Sequence, residues 1–204
     1  MRKSWAIIFC LFCIAGSRPL YAQNRTLRFH AAGGIWLPLE NVLDAGTQTG
    51  FGLSAAVVRH VDLVFDFKIG RLDVVDEEHS LDGEMSLSPF MLSVRFHLFP
   101  ERKWDVYGLV GGGVIFSSIR NRDVSGVPGG NIRQSSKNRC GIQAGVGGSI
   151  SISRRFAVFM ETSLLHQRAL ITTTVEELNR DRREEEWSFN ISLTAISMGL
   201  RYSY

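Results

Sequence analysis

The sequence predicts an all-β fold, namely an eight-stranded antiparallel up-and-down transmembrane β-barrel. Three observations predict it. Eight segments of about 10 to 18 residues alternate between apolar and polar side chains, whereas strands of soluble sheets have about 5 or 6 residues. Short and long connections alternate along the chain between these segments, as in barrels that cross a membrane. After the first 22 residues, no apolar run is long enough for a spanning helix.

The first 22 residues have the pattern of a secretory signal peptide. Two basic residues precede the apolar run Trp5–Ala15, and Ala22 completes a small-residue cleavage site. The run is too short to cross a bilayer, which takes about 20 residues. We therefore predict a signal peptide over residues 1–22 and a barrel domain over residues 23–204.

Charge balance and cysteine content narrow the class of protein. The chain has 23 Lys and Arg against 20 Asp and Glu, but three basic residues leave with the predicted signal, so that 20 of each remain. This balance predicts no nucleic-acid partner. Cys140 is the one cysteine left after cleavage, which excludes an intramolecular disulfide. An exported chain of this kind is either a soluble secreted domain or a closed barrel.

The eight predicted strands share their length and their alternation. They are Thr26–Leu37, Gly50–Arg59, Val61–Val74, Met85–Phe99, Asp105–Ser118, Gly141–Ser153, Phe156–Ala169 and Trp187–Tyr204. The second, fourth and sixth connections are tight, and the other connections are long and polar. This arrangement is typical of short turns at one end of a membrane barrel and long loops at the other.

Side-chain alternation is clearest in the third strand, where apolar residues from Val61 to Ile69 oppose Asp62, Asp66 and Lys68. A soluble lipocalin-like barrel would bury the apolar set instead. Periodicity alone does not decide which face is inward, but the small residues on the polar face favour a narrow polar lumen. The charged residues predicted to share this lumen are Arg28, His30, Asp66, Lys68, Arg95, His97, Glu161 and Arg201. Which of these groups pair depends on the stagger of the strands.

Two predicted strands depart from this alternation of apolar and polar side chains. Met85 and Leu87 lie on the opposite face from the apolar residues that follow Pro89, and the last strand changes face near Thr194-Ala195. We favour a β-bulge at each of these points, which would reset the register. The alternative is an apolar inner wall in the outer half of the lumen, suited to a hydrophobic solute. The residues of that wall would be Trp36, Met85, Leu87, Trp187, Phe189 and Ile191.

The last eight residues, Ser197 to Tyr204, resemble the barrel-assembly signal of small eight-stranded outer-membrane proteins of diderm bacteria. The matching positions are Gly199, Tyr202 and Tyr204. This group includes OmpW, OmpX and the OmpA transmembrane domain, and the hairpin over residues 87–114 is similar to OmpW-type hairpins. The resemblance implies an outer-membrane location, with membrane lipid, periplasmic chaperones and the barrel-assembly machinery as partners. An OmpW likeness implies a narrow channel for small hydrophobic solutes, and an OmpX likeness implies a scaffold for surface loops.

The predicted loops differ in charge. Loop two, Asp73 to Glu84, is acidic; loop three, Arg120 to Arg139, carries a charge of plus four; and loop four, Ile171 to Glu186, carries minus three. Neighbouring loops of opposite sign are expected to neutralise one another, although exposed pairs contribute only about 0 to 1 kcal/mol each. The alternative hypothesis is that loop three binds an anionic host or lipopolysaccharide-like surface.

The sequence carries no pattern typical of an enzyme. Ser163 and His166 are three residues apart on one strand, so they face opposite sides. The motifs GxSxG and HExxH, a P-loop and paired CxxC are all missing from the chain. We therefore predict no catalytic residues, no cofactor and no metal, and expect the acidic residues between Asp76 and Asp82 to be solvated.

Overall fold

The structure, a computed structural model, is a closed antiparallel β-barrel with eight strands in its wall, which confirms the predicted fold class. It describes residues 27–40, 43–76, 81–121, 131–136, 138–176 and 183–204. Side chains are described in these ranges except for residues 75–82, 120–137 and 169–189. Nowhere in these ranges does the chain form a helix long and apolar enough to cross a membrane.

Strands that adjoin in the wall are antiparallel, and the last strand pairs with the first. The strands are β1 Leu27–Pro38, β2 Gly46–Val58, β3 Val61–Asp76, β4 Leu81–His97, β5 Trp104–Asn121, β6 Asn131–Ser136, β7 Arg139–Ser151, β8 Phe156–Glu176 and β9 Arg183–Ser203. The short β6 and the longer β7 both pair with β8, at different heights. Together β6 and β7 occupy one strand position in the wall. The nine strands therefore form an eight-stranded barrel.

The stagger of the wall follows from the registers of its strand pairs. Paired residues lead from Leu27 around the barrel and back to Leu37. The intermediate steps are Ala55, Leu63, Val94, Val110, Ala144, Leu164 and Thr194. The return lies ten residues further along β1. A shear of this size in an eight-stranded barrel corresponds to a strand tilt of about 40°.

The wall is apolar outside and carries charges inside. Large outward side chains such as Phe51 and Val146 are more than 60% exposed, whereas Arg95 and Asp62 are at most 2% exposed. The polar set of the third predicted strand therefore faces the interior. This orientation is the reverse of a lipocalin-like barrel, so that interpretation does not apply.

The two β-bulges that the sequence analysis favoured are wrong. In β4, the pairs Phe67–Phe90 and Gly70–Leu87 keep one register across Pro89. In β9, pairing with β8 runs without a shift through Thr194. Odd-numbered residues therefore face inward wherever the side chains of these two strands are described, and the change from polar to apolar side chains happens along the interior itself. A register shift does occur elsewhere, between Ala56 and Val58 of β2.

The strands run further into the predicted loops than expected. Asp73 pairs with Glu84, and β8 and β9 continue their pairing to Val175 and Arg183. Part of the predicted loop three forms β6. The reason is that backbone pairing continues where the alternation of side chains stops, and alternation is the main sequence signal for a strand.

Candidate functional site in the barrel interior

The structure places all eight predicted lumen charges on the inward face, in the half of the barrel nearer the tight turns at residues 59–60, 98–103 and 152–155. We call this half the charged half and this end the short-turn end. Asp62, Asp105 and Tyr107, which the predicted set did not include, join these groups. The sequence could have indicated Asp62 as a lumen residue, because side-chain alternation puts it on the same face of its strand as Asp66. Asp105 and Tyr107 lie on a glycine-rich strand whose two faces differ little in the sequence.

One cluster of the charged half surrounds Asp62, close to the short-turn end. Arg28 Nη1 lies 2.5 Å from Asp62 Oδ2, and His97 Nε2 lies 3.1 Å from the same oxygen. The other ring nitrogen of His97 contacts Asp105. The backbone N–H of Phe99 donates to Asp105 Oδ1 over 3.0 Å. The cluster therefore joins β1, β3, β4 and β5 across the interior.

A second cluster surrounds Glu161 of β8. Its carboxylate lies 3.4 Å from Arg95 Nη2 and 4.0 Å from Lys68 Nζ. The hydroxyl of Tyr107 donates to the same carboxylate over 3.3 Å. Because these partners are buried, loss of the carboxylate would leave cations without a counter-charge in a medium of low dielectric constant.

Aromatic rings complete the environment of the two most buried guanidinium groups. Arg95 Cζ lies 4.5 Å from the centre of the Tyr107 ring, and Arg201 Cζ lies 5.6 Å from it. Arg201 also lies 5.3 Å from the ring of Phe159. Such contacts between a cation and a ring face are attractive, more so away from water.

A glycine allows one of the ion pairs to form. His30, Gly52 and Asp66 are paired residues on the adjacent strands β1, β2 and β3. His30 Nε2 and Asp66 Oδ1 lie 2.5 Å apart, and a Cβ on Gly52 would lie 2.5 Å from each of these atoms. Only a residue without a side chain leaves this space open, so the pair spans the intervening strand directly.

The other half of the interior is apolar. We call it the apolar half. Trp36 of β1 is fully buried there, and a Cβ on Gly70 would lie 2.3 Å from its ring. The buried residues of this half are Trp36, Leu43, Leu72, Val74, Met85, Leu87, Met91, Ile115, Leu165, Ile191, Leu193 and Ala195. Four of the six residues named for an inner wall are therefore in this cluster; the side chains of Trp187 and Phe189 lie outside the described residues.

Neutral polar residues separate the two halves. Gln48 Nε2 donates to Ser197 Oγ over 3.0 Å, and Gln143 Nε2 donates to Ser93 Oγ over 3.3 Å. A cavity of about 20 Å³ lies at this level beside His30, Asp66 and Glu161. This volume suits about one water molecule. Side chains thus fill most of the interior that the structure describes.

The wall has a local weakness beside the apolar half. Pairing between β3 and β4 is interrupted at Lys68 and Ile69, opposite Pro89 and Ser88. Pro89 has no N–H to donate, and proline is rare inside sheets for this reason. On its other side, Pro89 keeps its pairing with Ile115 of β5. The interruption is therefore confined to the seam between β3 and β4.

Three residues named for an assembly signal lie near the closing seam of β1 and β9. A Cβ on Gly199 would lie 2.1 Å from the carbonyl oxygen of Ala31 and 2.8 Å from the Phe159 ring, so local packing also requires this glycine. Tyr202 faces outward and packs on Phe156 with ring centres 5.2 Å apart. Tyr204 is 88% exposed.

His166 has a hydroxyl partner that the sequence did not indicate. Its Nδ1 lies 2.9 Å from Ser192 Oγ, on the outer face of the wall, while Ser163 faces inward. Both carboxylate oxygens of Glu40 accept the backbone N–H of Ser192 at 3.0 and 2.9 Å. Glu40 therefore accepts a backbone N–H from within β9, just beyond the end of β1.

No protein-family model matches this chain, and no curated protein sequence matches it. Solved structures do match. The outer membrane protein OprG from Pseudomonas aeruginosa matches with a TM-score of 0.64 and 12% identity, over 88% of this chain and 96% of that chain. A major outer membrane protein from Thermus thermophilus matches with a TM-score of 0.61 and 11% identity, over 89% and 100%. Neisserial surface protein A matches with a TM-score of 0.57 and 11% identity, over 88% and 97%. At these identities, the likeness concerns the fold.

Proposed function

We propose that the protein is an integral outer-membrane barrel that passes small apolar solutes through the apolar half of its interior. The observation that carries this proposal is the change from a charged to an apolar lining along the same inward faces. An apolar solute would be favoured in the apolar half and opposed by the buried charges beyond it. The apolar belt on the outer wall supports the membrane location, since exposed apolar surface of this extent is rare on soluble monomers.

The charged half makes an axial route through the barrel unfavourable for such a solute. Paired carboxylates and cations occupy the charged half. The cavity where the charged half meets the apolar half has a volume of only about 20 Å³. The interrupted seam at Pro89 supports a lateral route, from the apolar half directly into the lipid. Met85 and Met91 lie at this level, and unbranched thioether side chains rearrange readily around a guest.

Uptake by whole cells tests this proposal. A diderm host with an intact lipopolysaccharide leaflet is given a phenylnaphthylamine dye, which fluoresces on reaching apolar surroundings. We expect faster uptake in cells that express the protein than in cells with empty vector. Pro89→Ala restores an N–H at the seam and is expected to slow uptake, whereas Pro38→Ala, at the end of β1, is the matched control and should leave the rate unchanged.

A second candidate function is a closed scaffold that displays surface loops, with a host ligand as its partner. The filled interior supports it. In that case, folded protein at the cell surface would give dye uptake equal to that of empty vector, and Pro89→Ala would have no effect. Dye uptake equal to that of empty vector would exclude the solute route and favour the scaffold function.

A further inference from the structure

We propose that the outer wall holds one anionic phospholipid, with an acyl chain in a trough along β1 and its phosphate at Arg154 and Arg155. The inference rests on the membrane location proposed above. It concerns the outer face of the barrel and is independent of any solute route through the interior.

The trough exists because β1 presents small side chains between two strands with large ones. Ala31 of β1 is paired with Phe51 of β2 on one side and with Leu200 of β9 on the other. Gly33 is the next outward residue of β1, and it is paired with Met198. The result is a groove of about 540 Å³ from Phe29 to Leu200, and a second of about 220 Å³ along Gly33 and Ile35. The volume of the larger groove is within the range of about 300–1,000 Å³ that is typical of ligand sites.

The length and direction of the trough suit an acyl chain. Six residues separate Phe29 from Ile35, which is about 20 Å along a strand at about 3.3 Å per residue. At a tilt of about 40°, this length covers about 15 Å of depth, or half of a hydrocarbon core about 30 Å thick. The trough begins at the short-turn end, so a lipid of the leaflet at that end would have its headgroup beside the tight turns.

A turn with two arginines lies at the mouth of the trough. Phe156 and Tyr202 line the groove there, and Ser203 N donates to the carbonyl of Arg155 over 2.8 Å. Arg154 and Arg155 are both exposed. The Ser153 hydroxyl accepts the backbone N–H groups of Arg155 and Phe156 at 3.3 and 3.1 Å. The turn therefore has a defined conformation that presents two guanidinium groups, which suit a phosphate.

Two other turns of the same rim provide a natural control. Arg102 lies over the rings of Phe99 and Trp104, with Cζ 4.9 and 5.4 Å from their centres. Arg59 is paired with Glu101 at 2.6 Å. These residues supply cations and aromatic rings at the same depth, but the grooves along β1 do not reach them. A general attraction of anionic lipid to the rim would involve the arginines of all these turns equally, whereas the proposed site would involve only Arg154 and Arg155.

Native mass spectrometry of the folded protein in detergent tests the proposal, with phosphatidylglycerol and phosphatidylcholine as probes. We expect one retained phosphatidylglycerol per barrel. The double variant R154Q/R155Q should bind phosphatidylglycerol about tenfold more weakly, because each cation near an anionic lipid contributes substantially to binding. R59Q/R102Q removes the same number of charges and should leave binding unchanged.

Filling the trough tests the acyl-chain half of the proposal. A Cβ on Gly33 would have no neighbour nearer than 3.9 Å, so A31L/G33L adds outward side chains without a clash at that position. This variant should fold normally and lose retention of phosphatidylglycerol. Equal losses in the two arginine variants, undiminished binding in A31L/G33L, or preferential retention of purified lipid A would each overturn the proposal.

Failure of the membrane proposal would be visible separately. Before the lipid measurement, the unmodified chain is refolded into phosphatidylcholine vesicles and its electrophoretic mobility is compared with and without heating. A chain that never gives a heat-modifiable band contradicts the proposed function. A chain that folds into vesicles but retains no phosphatidylglycerol contradicts only the lipid site.

Discussion

The two halves of the interior have the same backbone geometry and opposite chemistry. In the charged half, Glu161 meets Arg95 and Tyr107 through directed contacts, and each group has few acceptable replacements. In the apolar half, Leu87 and Met91 are buried by packing alone. The barrel interior therefore contains two kinds of core, one above the other along the barrel axis. The charged core depends on geometry, because each buried charge needs a placed partner, whereas the apolar core depends mainly on volume.

The largest effect that would separate the two cores is expected from Glu161→Ala. Removing this carboxylate leaves Arg95 and Lys68 buried without their counter-charge, and breaking a buried ion pair costs about 3–5 kcal/mol. Urea unfolding in vesicles, followed by tryptophan fluorescence, measures the change. A loss below about 1 kcal/mol would mean that water enters this half freely.

Truncation in the apolar core is expected to have a slightly smaller effect. Leu87→Ala should lower the free energy of unfolding by about 2–4 kcal/mol, because it leaves a cavity. Leu87→Met nearly conserves volume and should cost less than about 1.5 kcal/mol. The same urea titration compares the two variants. If Leu87→Met proved as damaging as Leu87→Ala, the apolar half would depend on shape as strictly as the charged half does.

A smaller effect is expected from Gly52→Ala, which tests the geometry of the charged half without removing a charge. The added methyl group would clash with the carbonyl oxygen of Phe65 as well as force His30 and Asp66 apart, at a total cost of about 1–3 kcal/mol. Gly33→Ala is the matched control, because a Cβ there would lie 3.9 Å from its nearest neighbour, the carbonyl oxygen of Gln48, without a clash. Equal stabilities of the two variants in urea would show that the His30–Asp66 contact has no role in stability.

The smallest effect is expected at the rim. Arg59 and Glu101 are 2.6 Å apart, and their side chains are 62% and 69% exposed. Glu101→Gln should change the free energy of unfolding by about 0–1 kcal/mol, and the change should vanish in high salt. A loss comparable with that in Glu161→Ala would contradict the distinction between buried and exposed pairs.

Part of the interior was predictable from the sequence, and the reason is local. Alternation assigns Asp66 and Lys68 to one face of a strand whatever its neighbours are. The inward position of Met85 and Leu87 was harder to predict, because an apolar residue on the polar face has two explanations, a bulge or an apolar interior. Only the continuous register across Pro89 excludes the bulge. The partner of His166 was also beyond prediction, since Ser192 lies on another strand.

The order of residues along the chain was enough to establish an alternating wall with its charged residues on one face, because side-chain parity is a property of each strand alone. Which cation meets which carboxylate follows only from the closed barrel. Arg95 of β4 meets Glu161 of β8 across the interior because of the ten-residue stagger with which the wall closes on itself. That stagger depends on the registers of all eight strand pairs together, so no single segment encodes it.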